Sequence, residues 1–203
     1  EQPDEKSRFA GGTQTWAENL DLMFTFRGIP CVYYGSEVEF QKGAVIDVGP
    51  NAPLSTTGRA YFGDYLEGTV KATDFSEYTA SGTVADTLAS PLSKHLSKVN
   101  AIRRAIPALQ KGQYTASSTY VTGGDMSYVR RYTDDNTDSL ALVSISSGAT
   151  FKNIPNGKYV DAVTGDVKYV TDGTLTVPEL AKANMRVYVC CASGFTGIDG
   201  QIG

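Results

Sequence analysis

Two carboxylates, Glu37 and Glu39, stand just beyond the run Ile29-Pro30-Cys31-Val32-Tyr33-Tyr34, which Gly35 closes. Polar residues just past the carboxyl end of a buried parallel strand are the ones that meet ligands in α/β proteins, so these acids mark a candidate site. Other reactive side chains point nowhere as clearly. His95 lies alone on a predicted helix, without a nucleophile-elbow motif near it, and reads as a solvent-facing side chain. Three cysteines and one histidine have no zinc-ligand spacing. Asp134, Asp135 and Asp138 lack the Gly and terminal Glu of an EF-hand loop and read as a polar hairpin turn.

The elements that must hold the acids follow from periodicity. Trp16, Leu20, Met23 and Phe24 recur at helical spacing, which predicts a helix over residues 15–26 with Glu18, Asn19 and Asp21 on its polar face. Gly28 and Pro30 end it, and residues 29–34 then read as a strand buried on both faces, with Cys31 as a small hydrophobe inside it. A helix feeding such a strand is half of a βαβ unit. No other stretch offers a parallel neighbour, so the strand is expected to pair with absent sequence, with another copy of the chain, or with a strand from the loop that follows.

Residues 41–89 are punctuated by Pro50, Pro53, Gly58, Gly63 and Gly68 and carry Tyr61, Phe62, Tyr65, Phe75 and Tyr78, with Phe40 just before them. This predicts a long, packed loop. Leu92, Leu96, Val99, Ile102 and Ile106 then predict a second helix over residues 91–105, with Pro91 at its start.

Beyond Gly112 the period changes to alternation. Residues 127–132, 140–145, 158–163, 168–170 and 185–189 are rich in β-branched and aromatic side chains, with turn signals such as Asn156-Gly157 and Asp172-Gly173 between them. These predict an antiparallel β-sandwich over residues 113–191 that closes its own core and folds by itself. Cys190 and Cys191 are strand neighbours that point to opposite faces, so a disulfide from Cys31 to either is disfavoured. Residues 192–203 are small and Gly-rich, a linker or frayed end.

A chain of 203 residues makes one large or two small domains, and 41% apolar with 20% charged residues is ordinary for a globular protein. A net charge of −4 with scattered Lys and Arg argues against nucleic acid or an anionic membrane as partner. No apolar run approaches the ~20 residues that span a bilayer. Opening on Glu1-Gln2-Pro3 without Met, the chain reads as a piece of something longer.

The series Phe24-Thr25-Phe26-Arg27-Gly28-Ile29-Pro30-Cys31-Val32-Tyr33-Tyr34-Gly35-Ser36-Glu37 resembles the last barrel strand of the α-amylase family of glycoside hydrolases. Pro91-Leu92-Ser93-Lys94-His95-Leu96, Ile102-Arg103-Arg104 and Ile106-Pro107-Ala108-Leu109-Gln110-Lys111-Gly112 resemble the family's final barrel helix and its exit into the C-terminal β domain. The resemblance implies an α/β plus all-β chain: the end of a (β/α)8 barrel over residues 1–111, an antiparallel Greek-key β-sandwich over 112–193, and a linker or tail over 194–203.

It also implies a secreted bacterial enzyme that cleaves α-1,4-glucans such as starch and maltodextrins with retention, through two carboxyl groups. Neither the nucleophile nor the acid/base motif of the family is present here. The candidate for the family's third acid, which stabilises the transition state, is Asp4, although Gln2-Pro3 replaces the usual Asn-His. Asp4 is otherwise a solvated acid near a terminus. Tyr33, Tyr34 and Glu37 would face the glucan, the alternative for Glu37 being a surface salt bridge. The loop aromatics either pin the loop or stack on sugar rings. No cofactor is expected in this chain, with calcium a feature of the parent protein, and the expected partners are a glucan and the missing barrel segment or another copy. The competing reading is a non-catalytic carbohydrate-binding or structural sandwich.

Overall fold

The computed structural model describes residues 12–33, 35–38, 66–74 and 77–203. It divides into two compact units, one of Glu1–Trp16 and Cys31–Leu96, the other of Ala17–Pro30 and Ser97–Gly203. Among the described residues the chain is mostly sheet with few helices.

In the first unit, β1 (Thr69–Asp74) and β2 (Glu77–Ser81) pair antiparallel, with Thr69 opposite Ser81 and Ala72 opposite Tyr78. The hairpin closes where Gly68 and Gly82 approach the facing backbone: a Cβ on Gly68 would lie 1.9 Å from the Ser81 carbonyl oxygen. Both glycines also take positive φ, +130° and +74°, which side chains resist. The Thr69 and Ser81 hydroxyls bond across the base at 2.8 Å, and helix α2 (Thr83–Ala89) follows, its Thr83 Oγ1 donating to the Glu67 carbonyl at 3.0 Å. This hairpin and helix occupy the end of the stretch expected to be a loop. Phe40, Tyr61, Phe62, Tyr65 and Phe75 lie outside the described residues.

The second unit holds the sandwich. Its six-stranded sheet runs β3 (Gln113–Thr115), β5 (Ser127–Thr133), β6 (Asp138–Ile145), β11 (Met185–Cys190), β8 (Gly157–Asp161) and β9 (Val167–Val170). Its three-stranded sheet runs β10 (Leu175–Val177), β7 (Ala149–Phe151) and β4 (Val121–Gly123), and every pairing is antiparallel. Alternation fixes which side chains meet between the sheets. Val129, Leu140, Leu142, Tyr159, Tyr188 and Cys190 face Val121, Phe151, Leu175 and Val177 in one core. In the small sheet Phe151 sits opposite both Val121 and Leu175, the centre of a three-residue row.

The larger sheet is buried on its other face too: Tyr128, Ala141, Val143, Ile145, Val160, Val187 and Val189 are all at most 2% exposed. Helix α4 (Pro107–Lys111) lies against β5 and β6, with Ala108 N donating to Ser139 Oγ at 3.1 Å. Residues 192–203 run back along the unit, since Thr196 N donates to the Asp138 carbonyl at 2.7 Å and Ile202 N to that of Ala162 at 2.8 Å. Between those points Ile198 N meets Cys191 Sγ at 3.4 Å. All three cysteines are free thiols, and burial pushes the Cys190 thiol up.

At the edge of the larger sheet the Asp166 carboxylate accepts a hydrogen bond from the Tyr188 hydroxyl at 2.7 Å, with Lys168 Nζ 3.6 Å away. The Tyr188 hydrogen bond, aided by the Lys168 charge, holds its pKa below the usual carboxylate value. The folded state therefore favours the ionised acid. The stability this gives is present above the ordinary carboxylate range and lost as pH falls through the lowered folded value. The unfolding midpoint of Asp166→Asn, measured in urea from about pH 6 down to about pH 2, is expected to fall less steeply than that of the wild type.

Candidate substrate-facing segment

Helix α1 (Thr13–Thr25) delivers the chain to the candidate site. It begins two residues earlier than periodicity predicts and buries Leu20, Asp21, Phe24 and Thr25. Asp21 is the departure from an amphipathic reading: it is fully buried, not on a solvent face.

The run that follows α1 is not a buried strand. Residues 29–33 belong to no strand among the described residues, Ile29 is 94% exposed, and Cys31 is exposed as well. The physical reason is the one the pattern already contains. A strand apolar on both faces needs neighbours on both edges, and among the described residues every strand pairs antiparallel within another sheet. Pairing with a strand from the following loop is likewise not found among the described residues, where β1 and β2 pair with each other.

Beyond it the backbone turns and is tied down. Gly35 takes φ +84°, and residues Ser36–Val38 form one turn of 3₁₀ helix. The Trp16 indole donates to the Ser36 carbonyl at 3.1 Å, and the Ser36 hydroxyl donates to the Tyr33 carbonyl. The Glu37 carbonyl accepts from Ser90 Oγ at 2.9 Å and from Ser93 Oγ at 3.4 Å. Ser90 also accepts from Ser93 N at 3.3 Å, which caps the start of helix α3 (Pro91–Ala105). The segment carrying Tyr33 and Glu37 is therefore fastened through its backbone, and Tyr33 stays 43% exposed. Asp4 and Tyr34 lie outside the described residues. His95 is half-buried on α3, not solvent-facing.

A second constellation, in the Ala17–Pro30 and Ser97–Gly203 unit, was not singled out by its sequence pattern. Arg130 on β5 is 1% exposed and donates to the Thr25 carbonyl at 2.6 Å and the Gly112 carbonyl at 2.9 Å. Arg103 on α3 donates to the carbonyls of Phe24 at 2.9 Å, Phe26 at 3.2 Å and Gly28 at 2.6 Å. The Tyr128 hydroxyl bonds Thr25 Oγ1 at 2.6 Å, and its ring packs with those of Phe26 and Tyr114. Burial pushes the Tyr128 phenol up and both guanidiniums below their usual values. Strand register carried the missed signal, because alternation puts Tyr128, Arg130 and Tyr132 on one face and so places an arginine between two aromatics.

Among the described residues no group of three or more His, Cys, Asp or Glu could hold a metal ion. No described helix is long and apolar enough to cross a membrane.

No protein-family model matches the chain. An α-amylase from Streptomyces lividans is 31% identical to it over 167 residues, which make up 82% of this chain and 17% of that enzyme. The chain is a homologue of the α-amylases. This α-amylase homologue thus spans far less than two thirds of that relative. In fold it is similar to a cyclomaltodextrin glucanotransferase described as the first with a three-domain ABC distribution, at TM-score 0.50 and 19% identity, over 93% of this chain and 35% of that one. A maltogenic α-amylase from Thermotoga neapolitana aligns at TM-score 0.48 and 12% identity, over 93% of this chain and 39% of that one.

Proposed function

We propose that this chain is the C-terminal portion of a secreted α-amylase-type glycoside hydrolase that cleaves α-1,4-glucans such as starch and maltodextrins with retention. The observation that carries the reading is the match to an α-amylase over 82% of this chain but 17% of that enzyme. In this reading residues 1–111 complete a (β/α)8 barrel whose earlier strands hold the nucleophile and the acid/base, and the sandwich is the domain that follows. The exposed run at residues 29–33 is then the last barrel strand, awaiting neighbours from the missing segment. Tyr33 offers a ring for stacking on a sugar, and the backbone ties at Ser36 and Glu37 fix where that ring and the Glu37 carboxylate are presented. Asp4 remains the candidate for the third acid.

The chain alone is expected to release no reducing sugar from soluble starch, because retaining hydrolysis needs two carboxyl groups that it does not supply. Co-expression with the upstream segment of an α-amylase is expected to restore cleavage. Turnover that stays with the purified chain after contaminating amylase has been removed would sink the reading. Retention of the isolated chain on a starch column, with no activity on reassembly, would favour the non-catalytic binding module.

A further inference from the structure

The end of α1 has no basic residue of its own in its last turn, yet its carbonyls are not left to solvent. A helix C-terminus presents unsatisfied carbonyl oxygens and the negative end of the helix dipole, and cations placed there are stabilising. Here two cations arrive from elsewhere in the unit. Arg103, from α3, takes the carbonyls of Phe24, Phe26 and Gly28, and Arg130, from β5, takes that of Thr25. Four carbonyls in a five-residue stretch thus end on two guanidiniums. Gly28 makes the last contact reachable: its φ of +96° turns the chain at a position where a side chain would be strained.

Arg130 also holds the Gly112 carbonyl at 2.9 Å, so the exit of α1 and the start of β3 are pinned to the same side chain. A guanidinium suits this task because its donors are fixed in a planar fork, whereas an ammonium offers one nitrogen. Tyr128 joins the cluster through the hydrogen bond between its hydroxyl and Thr25 Oγ1. Such an arrangement does more than neutralise charge, because it fixes the direction in which the backbone leaves the helix.

We infer that Arg103 and Arg130 are positioning residues, a clamp that sets the direction in which the backbone leaves α1 through Phe24 to Gly28. The importance of that path for substrate rests on the glucan-facing reading above, whereas the clamp itself does not. Nothing in its test involves glucan, so the two ideas fail separately.

The test is amide hydrogen exchange on the intact chain, with a nitroxide on the exposed Cys31 as a second readout. In Arg103→Met the peptide covering the end of α1 is expected to exchange about 10- to 100-fold faster, the factor that corresponds to losing hydrogen bonds from a charged donor. Amides of β6 and β11 should keep their protection, and the Cys31 spectrum should sharpen. Arg103→Lys keeps the charge and reaches fewer carbonyls, so it should fall between the two in both readouts. If Arg103→Met does not fold, Arg103→Lys against wild type carries the test alone. Equal loss of protection in α1, β6 and β11 would mean general destabilisation and overturn the proposal. So would an unchanged α1 or an unchanged Cys31 spectrum in a folded variant.

Discussion

Cut at Gly112, the sandwich is expected to lose cooperative unfolding. Alternation alone suggests that residues 113–191 close their own core, and between the two sheets they do. The far face of the larger sheet is another matter. Tyr128, Val143, Ile145 and Val187 are at most 1% exposed there, and contacts to that sheet come from α4, the end of α1 and residues 192–203, none of which residues 113–191 include. Full burial of such side chains is worth about 1.5–3 kcal/mol each. Uncovering four of them rivals the entire stability of a typical domain, about 5–15 kcal/mol. The cut also strands Arg130, which loses both of its carbonyl partners while remaining charged. Urea titration followed by far-UV circular dichroism should show a broad, shallow loss of signal for residues 113–191 and a sharp transition for the intact chain. A sharp transition at the same midpoint in both would refute the dependence on α1 and α4.

The second large effect is expected at Phe151. It is fully buried in the central strand of the small sheet, between Val121 and Leu175, and therefore carries the contact of that sheet with the larger one. Phe151→Ala should cost about 3–5 kcal/mol, the sum of lost transfer energy and an incompletely collapsed cavity. For a chain of this size each kcal/mol moves the melting temperature by roughly 2–4 °C, so calorimetry should resolve the drop easily. Phe151→Leu keeps most of the volume and should cost less than half as much. A melting temperature unchanged in Phe151→Ala would mean that the small sheet is not coupled to the larger one.

The parts of the fold legible in the sequence are those whose pattern is local and complete. Residues 127–132 and 185–189 alternate cleanly and form β5 and β11 nearly to the residue, because each finds antiparallel neighbours within the same chain. The helix over residues 91–105 is found with its start, since Ser90 and Pro91 supply a cap and a first residue that need no tertiary context. Three-residue strands such as β4 and β10 carry too little periodicity to be seen.

What sequence could not supply was the environment of a side chain. Residues 29–34 read as buried because they are apolar, but burial needs neighbouring strands, and Ile29 and Cys31 are exposed. Asp21 reads as part of a polar face because it is charged, yet it is buried, and so are Arg103 and Arg130, whose guanidiniums end on backbone carbonyls. Of the candidate site, the position of Glu37 just beyond the run and Gly35 was legible. The ties from Trp16, Ser90 and Ser93 that fasten it were not, since they join residues 20 to 56 positions apart.

The exposed stretch after α1 bears on how the protein behaves in a tube. Ile29 and Cys31 lie open in an apolar stretch outside any described strand, and such a surface invites other chains to add to it edge by edge. Concentrating the protein therefore favours self-association through a segment unrelated to its sandwich. Air oxidation would then lock neighbouring molecules together through Cys31, the exposed thiol among the three. A covalent dimer on a non-reducing gel would accordingly report storage conditions and not a quaternary structure, and reducing agent belongs in every buffer from lysis onward.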